Sequence, residues 1–304
     1  MAMHNQVFQY ATIEKLPIVK YDDEGNPVQA RGKMSIVRGR RKTGEANRGK
    51  QQVRVMAGVD YFTTDPECCK TIAEFKRGDL VLMKGNLLHK KVTRVRPCDV
   101  CGAMFQKKNQ SFLYVSPIHV SIEHTDLSIE ESLKKLKTYA EISNICTMVG
   151  YVVGNPIDVP KHEKDPCCKI PIVIDRKFFV SSQPLVKSDL LFVHCYGQKN
   201  IEAAHRCKVG TEIFIDGALR ARQNAKDIPH NCENTVIDDE GNPQPCLGLI
   251  KWSSVTIDIV PYSIELLNKW VTDEELEENS NTELNDIKDD LFSEEPEEIT
   301  MISS

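Results

Sequence analysis

The sequence predicts a mainly β protein built from two similar five-stranded barrels and an acidic tail. Two repeated segments support this prediction. KVGTEIFIDGALRAR at 208–222 is similar to KRGDLVLMKGNLLHK at 76–90, an offset of 132 residues, and KIPIVIDRK at 169–177 is similar to KMSIVRGRR at 33–41. Because the repeated segments keep the same order with small insertions, we infer an internal duplication.

Length and composition favour a protein of the reducing cytoplasm with no membrane partner. The 304 residues are 40% apolar, enough for one or two sizeable cores. The sequence has neither an apolar run of the roughly 18 residues that span a bilayer nor a leading signal pattern. The 11 cysteines are an odd number and include two adjacent pairs, which suits a disulfide framework poorly.

Charge is strongly partitioned along the chain. Residues 1–125 hold 21 basic and 12 acidic side chains, a net charge of +9, whereas residues 126–271 have a net charge of −2. Residues 272–304 hold 1 basic and 13 acidic side chains, a net charge of −12. A basic start and an acidic end indicate a polyanion-binding surface and an extended tail.

Each repeat shows the same order of elements: three strands, a short helix, a glycine-bounded strand, a long loop and a final strand. β-Branched residues and alternating polarity identify the strands, and Asp65 followed by Pro66 predicts the start of the first helix. The predicted elements of the first repeat are 5–20, 31–39, 51–60, 66–77, 79–89 and 111–123. Those of the second are 143–153, 169–175, 190–196, 198–208, 211–222 and 251–260.

This order is that of the OB-fold, a small Greek-key barrel. Gly78 and Gly210 would end the helix of each repeat and turn the chain into the fourth strand. A bulge or a sharp barrel bend explains Gly85 and Gly217.

Helical spacing in SIEESLKKLKTYAEI (128–142) predicts an amphipathic linker helix, and SIELLNKW (263–270) predicts another helix. The acidic composition after it is typical of disorder. The predicted domains are a basic first OB-fold at 1–125, a helical linker at 126–142, a second OB-fold at 143–271 and a disordered tail at 272–304.

The second repeat resembles the bacterial-type single-stranded DNA-binding protein family. NICTMVGYVVGNP (144–156), LLFVHCYGQKNIEAAHRCKVGTEIFIDGALRAR (190–222) and VTIDIV (255–260) carry the resemblance, which reaches the first repeat through the duplication. It implies a tandem OB-fold variant that binds single-stranded DNA and recruits replication or repair proteins through the acidic tail. The sequence departs from the family where members stack bases on tryptophans, because Leu190 and Asn224 stand there.

Sequence-independent binding of single strands needs cations that follow the phosphates and aromatic faces under the bases. In the OB order, the stretch between 31 and 54 forms the usual binding face, and it holds nine cations against one acid, Glu45. The predicted cationic residues are Arg31, Lys33, Arg38, Arg40, Arg41, Lys42, Arg48, Lys50, Arg54, Lys90, Lys91, Arg94, Arg96, Arg176, Lys177, Arg220 and Arg222. The aromatic candidates, each of which could instead belong to a core, are Tyr61, Phe62, Phe178, Phe179, Tyr196 and Trp252.

The cysteines offer two hypotheses for structural zinc, and buried reduced cysteine is the alternative to both. CDVC at 98–101 places two thiolates within reach of one ion, with Cys68 and Cys69 as the completing pair. The corresponding loop of the second repeat offers His230, Cys232 and Cys246, with Cys167 or Cys168 as a fourth ligand.

The predicted function is therefore to coat and protect single-stranded DNA, with little sequence preference, during DNA replication, recombination or repair. The protein would work in the cytoplasm, at a nucleoid or at a viral replication site in a host cell, alone or as a homo-oligomer. The alternative is an RNA-binding or protein-assembly scaffold, since fold alone does not fix function. An enzyme is disfavoured: the zinc deaminase pattern that PCDVC partly matches needs an upstream His-x-Glu or Cys-x-Glu, and the sequence has neither.

Overall fold

The computed structural model describes residues 4–38, 54–140, 142–159, 166–177, 179–180, 182–229, 235–237 and 240–267. These residues fall into two compact units. Of the described residues, the larger unit takes in those up to His89, those of Leu113–Ala221 and those from Ile257 to Leu267. The smaller unit takes in Lys90–Phe112 and Arg222–Thr256.

The first repeat forms a closed barrel in the larger unit. Its strands pair in the cyclic order β1, β3, β4, β6, β5 and back to β1, and β4 runs parallel to β6 with Tyr61 opposite Val115. The elements are β1 (His4–Thr12), β2 (Ile18–Tyr21), β3 (Pro27–Arg38), β4 (Arg54–Thr63), α1 (Pro66–Ala73), β5 (Leu80–Pro97) and β6 (Met104–His124).

The second repeat closes in the same way, in the order β7, β9, β10, β14, β11 and back to β7. Its parallel pair places Val193 of β10 opposite Ile259 of β14. The elements are β7 (Asn144–Val152), β8 (Ile157–Val159), β9 (Cys167–Asp175), β10 (Ser188–Tyr196), α3 (Gln198–His205), β11 (Glu212–Pro229), β12 (Thr235–Ile237), β13 (Pro243–Pro245) and β14 (Leu249–Leu266). The predicted tandem OB-fold is confirmed.

Local sequence signals account for the helices. Asp65 caps α1 by accepting a 2.9 Å hydrogen bond from the Cys68 amide, and Pro66 takes the first helical position, as predicted. The predicted linker helix is α2 (Ile129–Thr138), which starts at a capping box between Ser128 and Glu131. None of the helices in the described residues is long and apolar enough to cross a bilayer.

The helix α2 covers one outer patch of the first barrel. Leu136 is fully buried against Val37 and Leu80, and Tyr139 stacks on Tyr10 with ring centroids 5.1 Å apart. The outer face of the barrel is therefore apolar where the linker crosses it.

The repeated glycines allow close backbone approach. A Cβ at Gly85 would lie 2.2 Å from the Ser116 carbonyl oxygen, and a Cβ at Gly217 would lie 2.6 Å from that of Val260. In each barrel the fourth and fifth strands (β5 with β6, and β11 with β14) thus approach too closely at this glycine for any side chain. Gly78 and Gly210 have φ values of 95° and 82°, a conformation that L residues rarely adopt, which supports their predicted role at the turn into strand four.

A repeated amide bridge links the first and fourth strands of each barrel. The Asn5 side chain donates to the Leu87 carbonyl (2.8 Å) and accepts from the Leu87 amide (3.0 Å). Asn144 makes the same two bonds with Leu219, at 2.8 and 2.9 Å. Both asparagines are buried, so each bridge satisfies backbone groups that water does not reach.

The two barrels share one sheet, because β1 pairs antiparallel with β7. Val7 lies directly opposite Cys146, and these two residues hold equivalent places: Val7 also faces Gly85, and Cys146 also faces Gly217. The pairing is therefore centred on a pseudo-twofold axis of the duplication.

Three parts of the secondary-structure prediction are wrong: the long loop of each repeat and the helix after the second repeat. The predicted long loops after 89 and after 222 are in large part strand, since β5 runs to Pro97, β6 starts at Met104 and β11 runs to Pro229. The predicted helix at 263–270 is strand as far as Leu266, and the ladder continues with the Leu267 amide bonded to the Glu212 carbonyl. The predicted disordered tail lies outside the described residues.

Candidate nucleic-acid interface

The first candidate surface is the outer face of β3 and β4. Alternation fixes it: Val59 and Tyr61 of β4 face the core, so Asp60 and Phe62 face outward. Across the strand pair, Arg31 lies opposite Phe62 and Lys33 opposite Asp60. A guanidinium, an aromatic ring and an ammonium group thus share one face.

Two cations of β3, Lys33 and Arg38, make an ionic and an aromatic contact, respectively. Lys33 forms a 2.8 Å ion pair with Asp60 at the surface, a contact of about 0–1 kcal/mol that a phosphate can replace. Arg38 lies over the ring of Tyr262, 5.7 Å from its centroid. This cation–π contact orients the guanidinium without neutralising it.

The equivalent face of the second barrel lies on β9 and β10. Leu191, Val193 and Cys195 are fully buried, and Phe192 between them is 39% exposed. Phe192 holds the place of Asp60 at the repeat offset of 132. Phe192 is not among the binding residues predicted from the sequence, although period-two alternation through LLFVHCY is the signal that identifies it.

One edge of this barrel carries an arginine stacked on an aromatic ring. The Arg220 guanidinium carbon lies 4.7 Å from the centroid of Tyr196, whose hydroxyl is 3.4 Å from a carboxylate oxygen of Asp258. The structure thus brings together two predicted residues, Tyr196 and Arg220.

The smaller unit has its own set of cations and rings. Arg94 lies 5.7 Å from the ring centroid of Phe112. Phe105 and Trp252 meet edge to face with centroids 6.1 Å apart, and the Lys107 ammonium lies 5.8 Å from the Trp252 centroid. The predicted cations Lys90, Lys91 and Arg96 are half-buried along β5.

Three predicted binding residues are instead packed inside the protein. Tyr61 is 1% exposed in the core of the first barrel, where burial raises the pKa of its phenol. Trp252 is 6% exposed, because Phe105 and Lys107 cover it. Neither ring offers a free face to a base.

Arg176 is the third predicted binding residue that is packed inside the protein. Its guanidinium is 3% exposed and makes two 2.6 Å bonds to the carboxylate of Asp189, which is 1% exposed. Asp189 also accepts a hydrogen bond from the His89 amide, so the ion pair links the two barrels. The Arg176 guanidinium is therefore not available to a phosphate. The sequence shows that an arginine is present but not that a carboxylate 13 residues later is buried beside it.

Of the other predicted residues, Lys177 and Phe179 are exposed, the latter at 77%, and Arg222 is half-buried. Several predictions fall outside the described residues or on side chains that are not described: Arg40, Arg41, Lys42, Arg48, Lys50, Arg54, Phe178, His230 and Cys232.

The structure does not bring together the cysteines predicted to share zinc. Cys68 and Cys69 are buried in the first barrel, where their thiols donate to the carbonyls of Pro117 and Thr63. Burial raises the pKa of Cys68 to about 12 and that of Cys69 to about 11, so both remain protonated thiols. Cys167 is buried too and stands outside the clusters with metal-ligand spacing found in the described residues.

Two clusters in the described residues do have such spacing. In one, the sulfurs of Cys98, Cys101 and Cys246 lie within 4.8 Å of one another. The other joins Asp158, Cys168 and His205. In that second cluster burial raises the pKa of Cys168 to about 12, so a thiol, not a thiolate, faces two exposed groups already paired at 3.2 Å.

Comparison with solved structures places the fold. The wild-type single-stranded DNA-binding protein of Thermus aquaticus aligns over 90% of this chain and 97% of its own, at 13% identity and a TM-score of 0.50. A deletion mutant of that protein aligns over 89% and 98%, at 13% identity and a TM-score of 0.49. A Plasmodium falciparum SSB complex with ssDNA aligns over 41% and 98%, at 12% identity and a TM-score of 0.28.

No protein-family model and no curated protein sequence matches the chain. The similarity therefore lies in the fold, which this chain shares with the Thermus aquaticus protein over 90% of its length.

Proposed function

We propose that this protein binds single-stranded DNA with little sequence preference and protects it, through non-covalent contacts only. The observation that carries the proposal is the outer face of β3 and β4, where Arg31, Phe62 and Lys33 lie side by side on the surface that OB-folds use for oligonucleotides. The fold shared with a single-stranded DNA-binding protein supports the same conclusion.

The arrangement suits an unpaired strand for two physical reasons. Cations along one strand pair follow a phosphate backbone, and displacement of counterions makes the binding salt-dependent. The exposed ring of Phe192 and the half-buried ring of Phe62 offer stacking surfaces for bases. A base presents its face freely for stacking only when it is unpaired. Every base has a π-face, so contacts of this kind carry little sequence preference.

Fluorescence anisotropy with single-stranded oligonucleotides of increasing length, at two salt concentrations, tests the proposal. We expect affinity to rise with length until both barrels are occupied and to fall with salt. Duplex DNA of the same sequence should bind more weakly. Equal or tighter binding to duplex would contradict the proposal, and tighter binding to RNA would favour the alternative of an RNA-binding module.

Phe192 allows a sharper test of stacking. Phe192→Leu keeps an apolar side chain and removes the π-face, so the free energy of single-strand binding should weaken by about 1–3 kcal/mol. Phe192→Tyr keeps the ring and serves as the matched control, with affinity close to wild type. Loss of affinity in both variants, or in neither, would show that Phe192 does not stack on a base.

Arg31 and Lys33 test the phosphate contacts. Arg31→Gln and Lys33→Gln should each weaken binding uniformly across sequences and reduce the slope of log affinity against log salt by about 1. Asp60→Asn frees Lys33 from its ion pair and should strengthen binding. An unchanged salt slope in both Gln variants would show that Arg31 and Lys33 do not contact the DNA phosphates.

We further propose that the protein acts in DNA replication, recombination or repair in the cytoplasm, at a nucleoid or viral replication site. The acidic residues 272–304 would recruit partner proteins or compete with DNA for the basic surface. The protein would act alone or as a homo-oligomer, and light scattering, which gives the mass of the particle in solution, distinguishes the two. The division into domains at 125, 142 and 271 remains a proposal that limited proteolysis tests.

A further inference from the structure

The smaller unit contains three thiols contributed by the two repeats. Cys98 and Cys101 lie in the turn between β5 and β6, and Cys246 follows β13. The sulfurs of Cys98 and Cys246 are 3.7 Å apart. That separation is far longer than a disulfide bond of about 2.05 Å.

The distance between these two sulfurs is also compatible with a shared zinc ion. Zinc–sulfur bonds are about 2.3 Å long, and in a tetrahedron they separate two sulfurs by about 3.8 Å. The 3.7 Å between Cys98 and Cys246 agrees with this geometry, and all three sulfurs lie within 4.8 Å of one another.

The backbone on both sides is shaped around these sulfurs. After Cys101, Gly102 takes a φ of 70° and its amide bonds back to the Cys98 carbonyl at 3.2 Å, which closes a tight turn over the Cys-x-x-Cys pair. On the other side, the Gly248 amide lies 3.4 Å from the Cys246 sulfur. An amide aimed at sulfur stabilises a thiolate.

Gly248 also explains how the two loops meet. A Cβ at Gly248 would lie 2.4 Å from the Cys98 sulfur, so only glycine permits this approach. Asp99 fixes the register, since its amide donates to the Leu249 carbonyl at 3.2 Å and its carboxylate accepts from the Leu249 amide at 2.8 Å.

We propose that Cys98, Cys101 and Cys246 bind one zinc ion as thiolates, with the fourth position taken by water or another donor. Soft thiolates in tetrahedral geometry select zinc over hard cations such as magnesium and calcium. The ligand set differs from both sets that the sequence suggests, because it takes two ligands from the first repeat and one from the second. The ion cross-links the two repeats within the smaller unit, close in sequence to Phe105 and Trp252, which pack on each other there.

Metal titration of the full-length protein tests the site. The protein is purified with a reductant, stripped with a chelator and titrated with Co²⁺, whose thiolate charge-transfer absorption reports sulfur ligands. We expect one equivalent to bind with that absorption, and Zn²⁺ to displace it. Cys246→Ser should lower the Co²⁺ affinity at least about 100-fold, since loss of even an outer-shell partner costs 10–100-fold.

Cys207→Ser is the matched control. Its buried thiol donates to the Ala203 carbonyl, a bond that a serine hydroxyl also makes, and it lies outside the cluster. This variant should bind Co²⁺ as the wild type does. Absence of a thiolate band in the wild type, or equal affinity in Cys246→Ser and wild type, would overturn the proposal.

A second pair of variants keeps the test decisive if Cys246→Ser does not fold. Cys101 is partly exposed, so Cys101→His can supply an imidazole ligand where Cys101→Ser cannot. We expect Co²⁺ binding in the first variant and its loss in the second. Equal binding by the two would show that residue 101 is not a ligand. Since the readout is metal binding, the result is independent of whether the protein binds DNA.

Discussion

The amide bridges of Asn5 and Asn144 give a quantitative prediction about stability. Replacing Asn144 with alanine leaves the amide and carbonyl of Leu219 without partners in a site that is 4% exposed. Each buried polar group that loses its partner costs about 1–3 kcal/mol, so Asn144→Ala should lower the free energy of unfolding by about 2–6 kcal/mol. Asn5→Ala leaves the amide and carbonyl of Leu87 without partners and should lower the free energy of unfolding by an amount in the same range.

The two variants should nevertheless differ. The side-chain oxygen (Oδ1) of Asn144 accepts a further 3.0 Å hydrogen bond from the side-chain amide of Gln9. A typical buried hydrogen bond contributes about 1 kcal/mol, so Asn144→Ala should cost about 1 kcal/mol more than Asn5→Ala. In a Gln9→Ala background that difference should disappear.

Urea unfolding followed by circular dichroism measures these differences. Asn26→Ala is the control, because Asn26 is exposed and its side-chain bond to Asp22 is 3.3 Å long. We expect the control to lie within about 0.5 kcal/mol of wild type. If Asn144→Ala is as mild as the control, the bridge does not stabilise the barrel and the reasoning fails.

Three further predictions concern charge. Arg176→Ala should lower the free energy of unfolding by about 3–5 kcal/mol, because it leaves the Asp189 carboxylate buried without its partner. The slope of log affinity for DNA against log salt should not change. A changed slope would show that Arg176 contacts the DNA. Burial raises the pKa of Cys69 from 9.0 to about 11, so the unfolded thiol ionises first and stability should fall between those pH values. Urea midpoints of wild type and Cys69→Ala at about pH 8 and about pH 10.5 check this, because wild type should lose more. Removal of residues 272–304 should strengthen single-strand binding or leave it unchanged, and marked weakening in the same anisotropy assay would refute competition by the tail.

The duplication and its glycines made the fold predictable. Gly78 and Gly210 recur at the same place in each repeat, and a recurring glycine marks a backbone requirement that a single copy cannot distinguish from an ordinary turn. Asp65 and Pro66 predicted the start of α1 for an equally local reason. Signals of this kind act within a few residues and can be read along the chain.

The errors in predicting the site come from contacts between distant residues. Tyr61 and Phe62 are neighbours in sequence, and only the barrel decides that one faces the core and the other the surface. The sequence predicts Arg176 as a phosphate-binding residue because the buried carboxylate of Asp189 cannot be inferred from spacing. The segment at 263–266 fits helix or strand by pattern, and pairing with β11 decides for strand.

The pairing of β1 with β7 has a consequence for how the protein can diversify. A homodimer joined by such a ribbon separates on dilution and must match itself, so every substitution near its axis occurs twice. Here the ribbon closes within one polypeptide, so its formation is unimolecular and does not weaken at low abundance. Each half can also change alone, as the basic first half and the mildly acidic second half have done.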